Sequence, residues 1–157
     1  MLSVGLWEIW VLVILTILRH WVDRNCIPWT KTYFNDHIKG TTYEDDGYTI
    51  EITTIESITG DCDVTQRKGK VLCIYDLQLS LALTGKAIAD EKTFTGSIKL
   101  GEFVHDQDED EYEFEILVDD YTHQVKTLLI PVLKSKLMNF QSDLIKAHEN
   151  EVQHATD

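Results

Sequence analysis

The stretch that decides the fold runs from Val64 to Leu83, VTQRKGKVLCIYDLQLSLAL. Successive side chains of a β-strand point to opposite faces, so a period of two separates a buried face from a wet one. Val71, Cys73, Tyr75, Leu77, Leu79, Leu81 and Leu83 share one parity and predict the core face of a long strand, while Leu72, Ile74, Asp76, Gln78 and Ser80 share the other. This second face is polar from Asp76 onward but apolar at Leu72 and Ile74, directly after a turn that carries Arg67, Lys68, Gly69 and Lys70. Two readings fit the turn. An ordinary solvated hairpin accounts for the cations, with Gly69 supplying a conformation that other residues disfavour. A charged rim beside exposed apolar side chains is also the usual build of a protein interface.

Upstream, IPWTKTYFNDHIKG predicts a short amphipathic helix: Pro28 near its start, Thr30 as a cap, Tyr33, Phe34 and Ile38 on one side, and Gly40 to end it. A turn at Asp45-Asp46-Gly47 leads into a strand in which Tyr48, Ile50 and Ile52 alternate with polar residues, until the alternation slips beyond Thr54 as at a bulge. Downstream, Phe94, Ile98 and Leu100 mark one face of a further strand, and Tyr112, Phe114, Ile116 and Val118 stand opposite Glu111, Glu113 and Glu115 in the next. From Tyr121 the period lengthens. Val125, Leu128, Leu129, Val132, Leu133, Leu137, Phe140, Leu144 and Ile145 predict one long helix, capped near Asp119 or Asp120 and either kinked or begun at Pro131, which cannot donate to the Thr127 carbonyl. No crossover-length helix separates the strands, so they form an antiparallel meander. The expected class is α+β: an N-terminal helix, a four-stranded antiparallel meander sheet and a long C-terminal helix.

With 157 residues, 43% hydrophobic and 26% charged, the chain suits one globular core. A formal net charge of -13 excludes general nucleic-acid binding, which needs cations spread over a broad face. Cys26, Cys62 and Cys73 have neither metal-ligand spacing nor an even count, which points to a reducing, cytosolic setting. No phosphate loop, nucleophile elbow or His-Glu-x-x-His occurs, and no nucleophile can be matched with a base, so the chain is not expected to be an enzyme or to need a cofactor. Asp106, Asp108 and Asp110 have the alternate spacing of a calcium loop, but Glu111 stands where the loop needs glycine and Leu117 where it needs a bidentate glutamate, so no metal is expected. Ten acids and no Lys or Arg fall between Gly101 and Asp120. They make a solvated edge that discourages aggregation, or else a steering surface for a basic partner. The six histidines are scattered, and Trp7, Trp10, Trp21 and Trp29 gather toward the N-terminus, where packing is their default role.

Residues 1–19 form an atypical apolar segment in which Leu2 to Leu18 carries only Ser3, Glu8 and Thr16 as polar residues. It is short for a spanning helix and lacks the flanks of a secretory signal. As an anchor it would leave Arg19, Arg24 and the rest of the chain in the cytosol; the other reading is a gene-model artefact ahead of a domain spanning 20–157.

Four stretches, HWVDRNCIPWTKTYF, SITGDCDVTQRKGKVLCIYDLQLSLAL, FTGSIKLGEFVHD and LLIPVLKSKLMNFQSDLIKAH, resemble in order the N-terminal domain of the activator of heat shock protein 90 ATPase family. The single-domain length is similar to that of the shorter fungal branch. The resemblance implies a cytosolic co-chaperone that binds the chaperone's middle domain, with its N-terminal domain as a further contact, and stimulates its ATPase by remodelling the catalytic loop. It also implies a monomer when free. The family's Arg-Lys-x-Lys motif is carried by Arg67, Lys68, Gly69 and Lys70, and Leu72 and Ile74 occupy the apolar contact positions that follow. His105 and Asp106 mark a further contact, where longer members often carry an aromatic in place of His105, and Asp61 belongs to the same partner-binding set. Of the family's Asn-rich motif ending in Trp-His-Trp, which influences nucleotide handling, only His20-Trp21 remains. A membrane-anchored α+β ligand-binding or adaptor domain, held through residues 2–18, is the alternative.

Overall fold

The computed structural model describes residues 22–154 except Lys68, so the apolar segment, His20-Trp21 and Lys68 lie outside the described residues. In chain order the elements are β1 (Val22–Asn25), α1 (Ile27–Tyr33) with a wider π-turn at Phe34–Ile38, β2 (Thr42–Glu44), β3 (Tyr48–Arg67), β4 (Lys70–Ala87), β5 (Lys92–Val104) and β6 (Phe114–Val118). The chain ends in α2 (Thr122–Gln124) with a π-turn at Val125–Leu129, then α3 (Ile130–Leu137) and α4 (Phe140–His154). The class is α+β, as expected.

The four expected strands are β3 to β6, and they form an antiparallel meander. Two short strands enlarge the sheet to six among the described residues: β1 and β2 pair antiparallel with opposite ends of the β3 edge that β4 leaves open. Three or four residues carry too little periodicity to stand out in a sequence; β3 supplies the ladder that defines them. The slip beyond Thr54 is a real irregularity, because the β3–β4 register shifts between Ile52 and Thr54 and again between Ile55 and Ser57. Nearer the turn, Gly60 is demanded twice over. Its φ is +109°, and an added Cβ would sit 2.1 Å from the Asp76 carbonyl oxygen.

Helix α1 departs from expectation at its cap. Thr30 lies inside the helix, buried, and its hydroxyl donates to the Cys26 carbonyl at 2.8 Å and toward Cys62 Sγ at 3.5 Å. The side chain that serves the helix start is Asn25, whose Oδ1 accepts the Ile27 N–H at 3.0 Å.

The long C-terminal helix is three helical pieces. Pro131 has no N–H for the Thr127 carbonyl, and the chain widens just before it, with the Ile130 N–H reaching back to the Val125 carbonyl. A second break follows α3, where the Asn139 N–H bonds the Lys136 carbonyl at 3.1 Å and Asn139 then accepts the Asp143 N–H to start α4. Nor does Asp119 or Asp120 cap the first piece. Tyr121 takes the position before Thr122 with φ +63°, and Asp120 Oδ1 accepts its N–H at 2.8 Å.

The break after α3 re-aims Phe140 into the core, where its ring centroid lies 5.1 Å from Tyr75, 5.5 Å from Phe103 and 5.6 Å from Phe34. Helix α4 thereby packs over β3 and β4. Cys73, Tyr75, Leu77, Leu79, Leu81 and Leu83 are all buried beneath the helices, which leaves the other parity of β4 facing out.

Candidate docking surface

The surface is built by the register of one hairpin. Arg67 pairs with Lys70, and the same register holds without interruption through Thr65 with Leu72, Asp63 with Ile74 and Asp61 with Asp76. Gly69 makes the turn possible: its φ is +78°, and nothing lies within 4 Å of where a Cβ would be, so it is the backbone conformation that selects glycine there. Directly paired residues of an antiparallel ladder share a face. Thr65, Leu72, Asp63, Ile74, Asp61 and Asp76 therefore occupy a single outer face behind the tip.

Leu72 is 46% exposed and Ile74 48%, the two largest values among the exposed large hydrophobics of the described residues. Their neighbours in sequence, Cys73 and Tyr75, are 6% and 3% exposed. This buried parity clamps the strand from beneath: Tyr75 stacks on Phe103 at 5.2 Å as well as meeting Phe140, so the outward pair sits on a rigid backing. Desolvation in that core raises the Tyr75 phenol above its ordinary range, in keeping with a side chain committed to packing.

The turn after β5 joins the same end of the sheet. The His105 N–H donates to the Tyr75 carbonyl at 3.1 Å, and His105 Nδ1 lies 3.3 Å from the same oxygen. Gln107 closes this turn by accepting the Val104 N–H at 2.8 Å. His105 is thus half-buried beside β4 and Asp106 is exposed next to it, in the turn just past the Asp76–Val104 pair that ends the β4–β5 ladder. The structure brings Gly69, Lys70, Leu72, Ile74, Asp61, His105 and Asp106 to one end of the sheet. The β1 strand begins beside them, with Val22 paired to Gln66.

Two residues on this face, Thr65 and Asp63, escaped the sequence reading; they stand opposite the apolar pair, while Asp76, already placed on this face by its parity, faces Asp61. Counting outward from the Arg67–Lys70 pair would have found both, since no bulge intervenes. Thr65 is 5% exposed, and its buried hydroxyl has no hydrogen-bond partner among the described residues. The acidic stretch is separate in character. Asp106, Asp108, Glu109, Asp110 and Glu111 are all exposed, as are Glu113 just before β6 and Glu115 within it, and among the described residues no three His, Cys, Asp or Glu gather where they could hold a metal. No described helix is long and apolar enough to cross a membrane.

Against this geometry, a family model described as "Activator of Hsp90 ATPase, N-terminal" matches residues 23–148. The chain belongs to this family. It is 37% identical over 147 residues to the Hsp90 co-chaperone HCH1 of Saccharomyces cerevisiae, an alignment that covers 85% of this chain and 94% of that protein. To the Hsp90 co-chaperone AHA1 of the same yeast it is 33% identical, again over 85% of this chain but only 42% of the longer protein. The fold is shared with the crystal structure of Aha-1 from Plasmodium falciparum, with a TM-score of 0.70 at 23% identity over 82% of this chain and 91% of that one. It is shared too with the solution structure of the human Aha1 N-terminal domain, with a TM-score of 0.63 at 14% identity over 80% of this chain and 99% of that one. The Aha1 N-terminal architecture thus stands in this chain with the β3–β4 hairpin and all of β1 except Val22 inside the matched range.

Proposed function

We propose that this chain is a co-chaperone that binds the middle domain of Hsp90 through the tip of the β3–β4 hairpin and stimulates its ATPase by remodelling the catalytic loop. The observation that carries the reading is the placement of Leu72 and Ile74: nearly half-exposed, adjacent in the outward row, and continuous with the turn that holds Arg67, Lys68, Gly69 and Lys70. Apolar side chains on a rigid backing anchor a partner, and cations at the rim steer and discriminate. Basic groups in a preorganised turn compete for the carboxylates and carbonyls that hold a loop closed, and they shift its equilibrium by their differential affinity for the open state. Asp61, His105 and Asp106 form the far end of the same contact. His20 and Trp21, which precede β1 in the sequence, are what remains of the family's nucleotide-handling motif and serve that role. The protein works in the cytosol as a free monomer until it meets the chaperone.

The test adds the full chain to Hsp90 and follows ATP turnover together with binding to the isolated middle domain. Turnover should rise and the middle domain should bind. Lys68→Ala should lower stimulation more than binding, whereas Leu72→Asp should weaken binding itself by roughly 30-fold, the size of a hot-spot loss. Unchanged turnover with no middle-domain binding would remove the proposal.

A further inference from the structure

We propose that Cys26 and Cys62 are a built dithiol site, oxidised by a hydroperoxide to a disulfide that fastens the β1–α1 junction to β3. Neither the chaperone reading nor the docking surface requires it.

The argument begins with register. β1 pairs with β3 so that Asn25 faces Asp63, and the pairing extends one residue further, where the Cys26 N–H donates to the Cys62 carbonyl at 2.7 Å. Facing residues of an antiparallel ladder have Cα atoms about 4.5–5.5 Å apart, within the span a disulfide bridges. Both side chains lie on the core face, 1% and 0% exposed, and the two thiols hydrogen-bond to each other. Thr30 holds the arrangement from the helix side, its hydroxyl shared between the Cys26 carbonyl and Cys62 Sγ. Cys73 lies nearby on the same core face but is not directly opposed to either: its ladder partner is Val64, two residues from Cys62, and its side chain meets Gln141 of α4. Of three buried cysteines, only Cys26 and Cys62 stand directly opposite each other.

Burial alone makes thiols inert, because the nucleophile is the thiolate. Here the hydrogen bond from Cys26 and desolvation push the Cys62 thiol well up, so the closed protein is protected. The way in is β1, whose described part is four residues long and, among the described residues, pairs only with β3. Opening so short an edge strand is a local event well below the global unfolding free energy. Once the pair is wetted, one thiolate attacks the peroxide, its sulfur becomes a sulfenic acid, and the O–O bond breaks to release water after proton uptake. The second thiol then displaces hydroxide from the sulfenic sulfur and gives up its proton, forming the S–S bond and a second water. Two thiols lose two electrons and the peroxide gains them. The product closes the chain between α1 and the hairpin arm that leads to Arg67.

The experiment treats the full chain, natively folded, with hydrogen peroxide, then traps remaining thiols and maps peptides without reduction. The expected result is a Cys26–Cys62 linked peptide, lighter by two hydrogens than the sum of its parts, with Cys73 alkylated only on unfolding. The linked protein should melt roughly 5 °C higher, and a dithiol reductant should reverse both changes. Cys26→Ser should abolish the link, while Cys73→Ser should leave it intact. A linkage that involves Cys73, or oxidation of Cys26 and Cys62 only to separate sulfinic acids, would overturn the proposal. So would native protein that stays fully reduced in peroxide. Hsp90 stimulation measured on the reduced protein keeps this outcome separate from that of the proposed function.

Discussion

The outer face of β4 has two halves, and they deal with water in opposite ways. In the half beyond Asp76 the side chains satisfy one another: the Thr59 hydroxyl donates to Gln78 at 3.2 Å, Gln78 donates to Asp76 at 3.2 Å, and Ser80 donates to Glu56 at 2.9 Å. In the half next to the tip, Leu72 and Ile74 are nearly half-exposed on the same strand and the same face. The polar half is complete as it stands. The apolar half leaves hydrocarbon in water, and covering it is favourable by about 25 cal/mol for each Å² removed. One continuous strand thus carries a finished surface and an unfinished one, with the boundary at Asp76.

Variants separate the two halves from each other and from the backing they share. The largest effect should come from the backing. Phe140→Ala removes the ring on which Tyr75, Phe103 and Phe34 converge, and it should cost about 3–5 kcal/mol in urea unfolding. A cost near zero would mean that the outward pair is not held from beneath. Next, Ile74→Asp should leave unfolding free energy within about 1 kcal/mol of the parent while costing Hsp90 binding roughly 30-fold. If stability and binding fell together, Ile74 would be a core residue and the comparison would fail.

A smaller effect belongs to Tyr33, whose hydroxyl donates to Asp143 at 2.6 Å and joins α1 to α4. Tyr33→Phe should cost about 1 kcal/mol. Burial first, then the hydrogen bond to Asp143 and its charge, raises the Tyr33 phenol above its ordinary value of 10.0. A group raised on folding contributes stability below its unfolded pKa and loses it as pH climbs through the folded one. Denaturation midpoints followed above pH 10 should therefore fall less steeply in Tyr33→Phe than in the parent. Smallest of all, Gln78→Ala in the polar half should move stability by no more than about 0.5 kcal/mol and leave chaperone binding unchanged. A binding loss there would push the boundary of the surface past Asp76.

Much of the fold was legible because it is local. Alternation from Val71 to Leu83 marked the buried and outward rows residue by residue, including the two apolar side chains on the wet face, and Gly69 between cations marked the turn. The slip after Thr54 was visible for the same reason. What could not be read depends on partners distant in sequence. The Thr30 hydroxyl looks like a cap until Cys62 is folded against it. The helix after Tyr121 looks continuous because its apolar period runs unbroken through Leu137 and Phe140, although the backbone breaks between them to drive Phe140 among the rings of Trp29, Tyr33, Phe34, Tyr75 and Phe103.

By itself the sequence determined which side of each strand meets water, where the chain reverses and where the cations stand, since side-chain direction follows from backbone period alone. Only the tertiary structure decided that β1 and β2 complete the β3 edge, that the His105 turn hydrogen-bonds beside Tyr75, and that Cys26 meets Cys62. Those pairings join residues whose own neighbours say nothing about each other. They exist because a ladder hydrogen bond or a buried contact stabilises the chain only once both partners have been brought together, and that choice belongs to the whole fold.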